Sequence, residues 1–231
     1  METRDLVLVQ GMRDTRSTLD RWAVHPWPVL SSWLLGAYLI AGALLAAVLL
    51  ISSVVGPDRG FTYLPHPPTG IELGRVAEVM GRNSLVLALH AFACVAGFIA
   101  GSSLPLSAAR RSGLSRWIHE RARPIAFTWV VGVTCFSLVT QALALGIIGS
   151  SIAFEAGISP GTLILTAAPH ALLELTAVFL PLAAWTIASR RGEWDQLLAA
   201  TFVTVALAIP MLLVAASWEV YVWPEILAAV A

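Results

Sequence analysis

Five stretches of this sequence are nearly free of charge and long enough to cross a hydrocarbon core of about 30 Å, which takes about 20 helical residues. They are Val29–Val55, Ser84–Ala109, Ile125–Phe154, Ile158–Ser189 and Gln196–Trp218. In hydrocarbon the backbone must satisfy its own hydrogen bonds, and a helix does so within one segment. The expected fold is all-α: a polytopic transmembrane bundle of about five membrane-spanning helices. Composition points the same way, with 58% of residues hydrophobic, 12% charged and a mean hydropathy of +0.79. That profile excludes an ordinary soluble domain and makes the lipid bilayer the first partner. Net charge is zero, so no overall field draws the chain to nucleic acid.

All 14 basic residues are arginine, a usage that together with the abundant alanine fits a GC-rich bacterial genome. Their placement predicts orientation, because cytoplasmic loops carry the excess of positive charge. Arg4, Arg13, Arg16 and Arg21 lie in the N-terminal tail, Arg110, Arg111, Arg116, Arg121 and Arg123 in the second connection, and Arg190 and Arg191 in the fourth. The alternate connections hold only Arg59, Arg75 and Arg82. Eleven against three puts the N-terminus in the cytoplasm and the C-terminus outside. Residues 1–28 then form a cytoplasmic tail and 29–231 a transmembrane domain. The tail is too polar for a cleavable signal peptide, and the first apolar run is too long for one, so it reads as a retained anchor. Trp22, Trp27, Pro26 and Pro28 suit an interfacial approach to that helix.

The fourth run carries the chemistry. Its middle reads Pro169-His170-Ala171-Leu172-Leu173-Glu174. An ionisable group at the bilayer centre costs roughly 2.5–3.5 kcal/mol on insertion scales, so it calls for a partner. Spacing of i, i+4 sets His170 and Glu174 on one helix face, where they can bond each other. Counting residues in from the outer helix ends places His90 and Gln141 at similar depth, so these four side chains are expected to form one intramembrane polar site. The alternative is a polar pair that only locks helices together, with His90 bonded to a backbone carbonyl. Pro169 and Pro181, in a run longer than a straight crossing needs, predict a tilted or interrupted helix.

Elsewhere, Ala93, Gly97 and Gly101 form a small-residue stripe for close helix packing. Thr69 to Arg82 reads as a short amphipathic helix on the outer surface, and the segment from Arg110 to Arg123 as a basic cytoplasmic helix. Pro105 lies near the inner end of the second run. His66, in a proline-rich loop, is expected to face solvent. Arg82, Asn83, Glu219 and Pro224 should meet in an extracytoplasmic patch, with Asn83 capping its helix. Cys94 and Cys135 lie in apolar runs and read as small hydrophobes. A metal set of His90, Cys94, His170 and Glu174 lacks a tetrahedral ligand pattern, and no cofactor motif is present, so neither metal nor cofactor is expected.

Three stretches together resemble the stage II sporulation protein M family of bacterial multi-pass membrane proteins. They are Arg82-Asn83-Ser84 leading into Ala88, Phe92, Gly97 and Gly101; Pro169-His170-Ala171-Leu172-Leu173-Glu174; and Trp218-Glu219-Val220-Tyr221-Val222-Trp223-Pro224. The likeness covers roughly Glu72 to Leu227. It departs from the family around Ser107, where the small-residue helix is shorter than the pattern asks. The resemblance implies a non-enzymatic component of the bacterial cell membrane. It implies a scaffold or assembly factor for an envelope complex, with cell-wall hydrolases or another membrane or extracytoplasmic protein as partner and self-association as a further option. The residues themselves leave open a transporter or permease-like subunit using His170 and Glu174. An intramembrane hydrolase would need a second acidic or metal-binding motif that is not found.

Overall fold

The computed structural model describes residues 7–61, 64–103 and 113–231. All regular structure among them is helical. The helices are α1 (Val7–Val24), α2 (Trp27–Val54), α3 (Leu73–Phe98), α4 (Gly113–Glu155), α5 (Pro160–Arg191), α6 (Leu197–Tyr221) and α7 (Trp223–Val230). Among the described residues, five helical segments are long and apolar enough to cross a membrane: Trp27–Val54, Leu73–Gly101, Thr128–Glu155, Pro160–Arg191 and Trp194–Val230. Two-thirds of the apolar window of α5 (67%) is buried inside the protein, against 39% or less in the other four. Whatever polar side chains α5 carries therefore meet protein more often than lipid.

Each link between α4, α5 and α6 is set by local chemistry. Gly157 takes φ +67°, with Ile158 N–H on the Ala153 carbonyl (3.0 Å) and Gly157 N–H on Phe154 (3.1 Å), which closes the end of α4 in a Schellman motif. Ser159 then caps α5, its Oγ accepting the Thr162 N–H at 3.0 Å, and Pro160 opens the first turn, where its missing N–H costs nothing. Gly192 (φ +74°) ends α5 in the same way, with Glu193 N–H on Ala188 at 2.9 Å.

The structure corrects the sequence reading at four elements. Thr69 to Arg82 is no separate surface helix, because α3 begins at Leu73 and runs unbroken through the second span. Asn83 therefore sits inside that helix and caps nothing. Pro169 and Pro181 do not interrupt α5, which is one 32-residue helix. An interior proline costs about 3 kcal/mol in a lone helix, but here the tertiary burial of α5 holds the segment helical around each of them. The basic connection is not a separate helix either: from Gly113 it continues α4 through Pro124 into the third span. Pro105, Ser107, Arg110, Arg111 and Arg4 lie outside the described residues. The N-terminal tail is itself largely helical, as α1.

The chain forms two compact units. One comprises Met1–Ala37, Leu87–Thr134 and Phe179–Leu207. Here Trp22 meets Trp33 edge-on with ring centroids 5.1 Å apart. Gly97 accepts the Trp185 and Leu197 side chains where a methyl group would lie 2.6 Å from Trp185 Nε1, and Gly101 lies against the Trp194 ring. The buried Cys94 Sγ donates to the Pro181 carbonyl at 3.0 Å. Cys135, by contrast, is exposed.

The other unit comprises Tyr38–Val86, Cys135–Val178 and Ala208–Ala231. Ile152, Ala153, Ala156, Leu163, Trp223 and Leu227 pack with Phe61, Ile158 and Ala167, and Val76 and Val79 pack on Ala216 and Val220. Long-range hydrogen bonds tie its loops and helix ends: Glu72 N–H to Tyr221 Oη (2.8 Å), Asp58 N–H to Ser151 Oγ (3.1 Å) and Ser150 Oγ to the Val55 carbonyl (2.9 Å).

Candidate functional site

The second unit holds a half-open cavity of about 620 Å3. Three helices bring polar groups to it, each by its own periodicity. On α3, Arg75, Glu78 and Arg82 recur at three and four residues and so share a face. Val76 and Val79 beside them anchor that helix on α6. On α5, Leu163, Ala167, His170 and Glu174 form one stripe. On α6, Glu219 completes the polar side with Val220 beside it, and Trp223 at the start of α7 also lines the cavity. The walls contributed by α2 and α4 are apolar: Leu45, Val48, Leu145, Ile148 and Ile152, with Gly149. One side of the cavity carries the ionisable groups and the other is hydrocarbon.

His170 is 6% exposed, and its ring lies tilted on Trp223 with centroids 5.2 Å apart. Trp223 is held in turn by its Nε1–H donating to Thr166 Oγ1 at 3.2 Å. Nδ1 of His170 is buried without a hydrogen-bond partner among the described residues, and so is Nη1 of Arg75. Glu174 does not bond His170; its carboxyl lies beside the side chains of Asn83 and Glu219, close to Arg82. The reason is tertiary: spacing puts His170 and Glu174 on one face, but α3 and α6 supply nearer polar groups to Glu174. Glu219 lies 3.8 Å from Arg82 Nη2 and also feels Arg75 and Glu78. The ion pair is loose, since the Arg82 side chain is 64% exposed.

The other expected members of the polar site fall elsewhere. Gln141 bonds within α4, its Nε2–H donating to Ser137 Oγ (2.9 Å) and to the Ser137 carbonyl (3.2 Å). It is not among the residues lining the cavity. His90 belongs to the first unit, where its ring meets Phe179 edge-on at 5.1 Å. Arg82 and Glu219 come together, and Asn83 joins them through Glu174. Pro224 is buried in the first turn of α7. Ala93, Gly97 and Gly101 lie in the first unit, the two glycines under tryptophan rings. Among the described residues no three His, Cys, Asp or Glu side chains gather as a metal-binding group.

Sequence reasoning missed Arg75, Glu78 and Trp223 as site residues and left His66 as a loop residue. His66 is exposed, with Nδ1 3.2 Å from the Pro67 carbonyl, but it also lines the cavity. The signal for Arg75 and Glu78 was present: no proline separates Leu73 from Phe98, so their helical period continues into that of the span. No family model, curated protein or solved structure matches this chain.

Proposed function

We propose that this chain is a non-enzymatic protein of the bacterial cell membrane that takes a small ligand into the cavity of its second unit, in the manner of a permease-like subunit. One observation carries this reading. An ionisable cluster (Glu174, Glu219, Arg75, Arg82) and a buried imidazole line a cavity of about 620 Å3 that is large enough for a small molecule. Ionisable groups placed within membrane-spanning segments are costly, and a helix-packing role alone does not require empty volume beside them. The scaffold reading keeps independent support from the likeness to the stage II sporulation protein M family over Glu72 to Leu227. On that reading the Arg82–Glu219 side docks a cell-wall hydrolase or another envelope protein, and self-association is a further option.

The two readings separate on Ala171→Trp, which fills the cavity while leaving every ionisable side chain in place, and on Glu219→Ala. Protein purified from native membranes should carry a defined small molecule that mass spectrometry detects. Ala171→Trp should lose it at unchanged membrane abundance. Equal small-molecule content in the wild type and in Ala171→Trp refutes ligand binding. Loss of a co-purifying protein from Glu219→Ala, with the small molecule retained, favours the scaffold.

A further inference from the structure

We infer that the cavity takes a zwitterionic amphiphile, a head bearing both an ammonium and an anionic phosphate or carboxylate group on an apolar body. The inference rests on the ligand-binding reading above and names the ligand class. Three features of the cavity wall define it.

The first is a pair of unpartnered polar atoms. Arg75 Nη1 can only donate a hydrogen bond, and it is buried with no acceptor among the described residues. His170 Nδ1 is likewise buried and unpartnered, on a side chain that is 6% exposed, and it donates or accepts according to the tautomer. Buried polar groups in native proteins are nearly always paired, so two orphans on one cavity point to a partner from outside the chain. Glu174 lies against Asn83 and Glu219, and Glu219 feels Arg75 as well as Arg82 without bonding Nη1 of Arg75. An anionic oxygen on the ligand supplies the acceptor that Arg75 lacks.

The second is a set of carboxyl oxygens. Glu78, Glu174 and Glu219 line the cavity, and Glu174 and Glu219 lie side by side. An ammonium group beside the anion donates to these oxygens, which a ligand carrying only negative charge cannot do. The third is the apolar wall of Leu45, Val48, Leu145, Ile148 and Ile152, which has nothing to offer a polar group and suits an alkyl or aromatic body. At about 30 Å3 per water-sized volume, the cavity has room for roughly 20 such volumes, enough for a head and a short apolar stem.

Two sources offer this chemistry: a membrane lipid with a phosphoethanolamine head, or a free zwitterion. Wild-type protein reconstituted in nanodiscs of equimolar phosphatidylethanolamine and phosphatidylglycerol, then analysed by native mass spectrometry, separates them. The phosphatidylethanolamine adduct should exceed the phosphatidylglycerol adduct at least tenfold. Arg75→Gln and Glu174→Gln should each reduce it severalfold, and Ala171→Trp should abolish it. Displacement of the adduct by tail-free phosphoethanolamine at millimolar concentration, or binding of phosphoethanolamine without any lipid adduct, keeps the head chemistry and makes the source a free zwitterion. Equal retention of phosphatidylglycerol, or retention indifferent to both polar variants, overturns the zwitterion. If that retention is still lost in Ala171→Trp, the cavity remains a ligand site of another class. Absence of lipid and phosphoethanolamine binding overturns the zwitterion, and the small-molecule content of native protein then decides separately whether the cavity binds anything. Should Arg75→Gln or Glu174→Gln fail to fold, Ala171→Trp and the headgroup ratio still decide.

Discussion

Trp223 shows how one residue can serve both packing and site geometry. Its ring sits in the core cluster with Leu163 and Leu227, supports His170 from 5.2 Å and is oriented by one hydrogen bond to Thr166. Two substitutions should separate these parts. Trp223→Phe keeps most of the ring and loses the bond, so it should cost about 0.5–1.5 kcal/mol. Trp223→Ala should cost about 3–5 kcal/mol through the space it leaves. Unfolding followed in detergent by circular dichroism measures both; equal costs would mean that the bond, rather than the packing, holds this corner. At this scale the sequence spoke clearly about His170 and Glu174, because an ionisable side chain in an apolar run is conspicuous. It was silent about their partners. An i, i+4 spacing reports which face two residues share, not which groups on α3 and α6 arrive there first, and so Asn83 and Glu219 could be found only in the folded chain.

Helices α3 and α5 carry the element-scale lesson. Their existence and the extent of α5 follow from apolar run length, since few other structures satisfy the backbone in lipid, whereas α3 starts at Leu73, well before its apolar run at Ser84. Their boundaries follow less readily. A surface helix and the extension of a span share the 3.6-residue period, and a proline reads as a break until tertiary burial outweighs it, as in α5. The glycines can be ranked by their surroundings. At Gly97 a new Cβ would lie 2.6 Å from Trp185 Nε1 and 2.9 Å from Leu197 Cδ1, while at Gly132, within α4, it would meet nothing within 4 Å. Gly97→Val should therefore destabilise by about 1–3 kcal/mol through overpacking. Gly132→Ala should stabilise by about 0.5–1 kcal/mol, because alanine loses less backbone freedom in a helix. Thermal unfolding of the two variants in one detergent is the check. A neutral Gly97→Val would show that the tryptophan and leucine side chains move aside freely.

For the whole molecule, arginine placement and the five long apolar helices combine into a testable topology. With Arg190 and Arg191 at the end of α5, and none between Glu155 and Pro160, the bias across α5 alone favours its C-terminal end in the cytoplasm. We propose accordingly that the N-terminus is cytoplasmic, that the α4–α5 link faces outward and that the α5–α6 link faces inward. Glu155 and Asp195 are exposed markers flanking α5. In a background with Cys94 and Cys135 replaced by alanine, Glu155→Cys should react with a membrane-impermeant maleimide on intact cells, and Asp195→Cys only after permeabilisation. The reversed pattern would overturn the orientation drawn from the arginines while leaving α5 a true span. Labelling of both positions from one side would mean that α5 does not cross, and His170 and Glu174 would then lie outside the hydrocarbon. The cost of placing charge in lipid would no longer argue for a ligand, and the cavity would have to be judged on its orphaned Arg75 and His170 atoms alone.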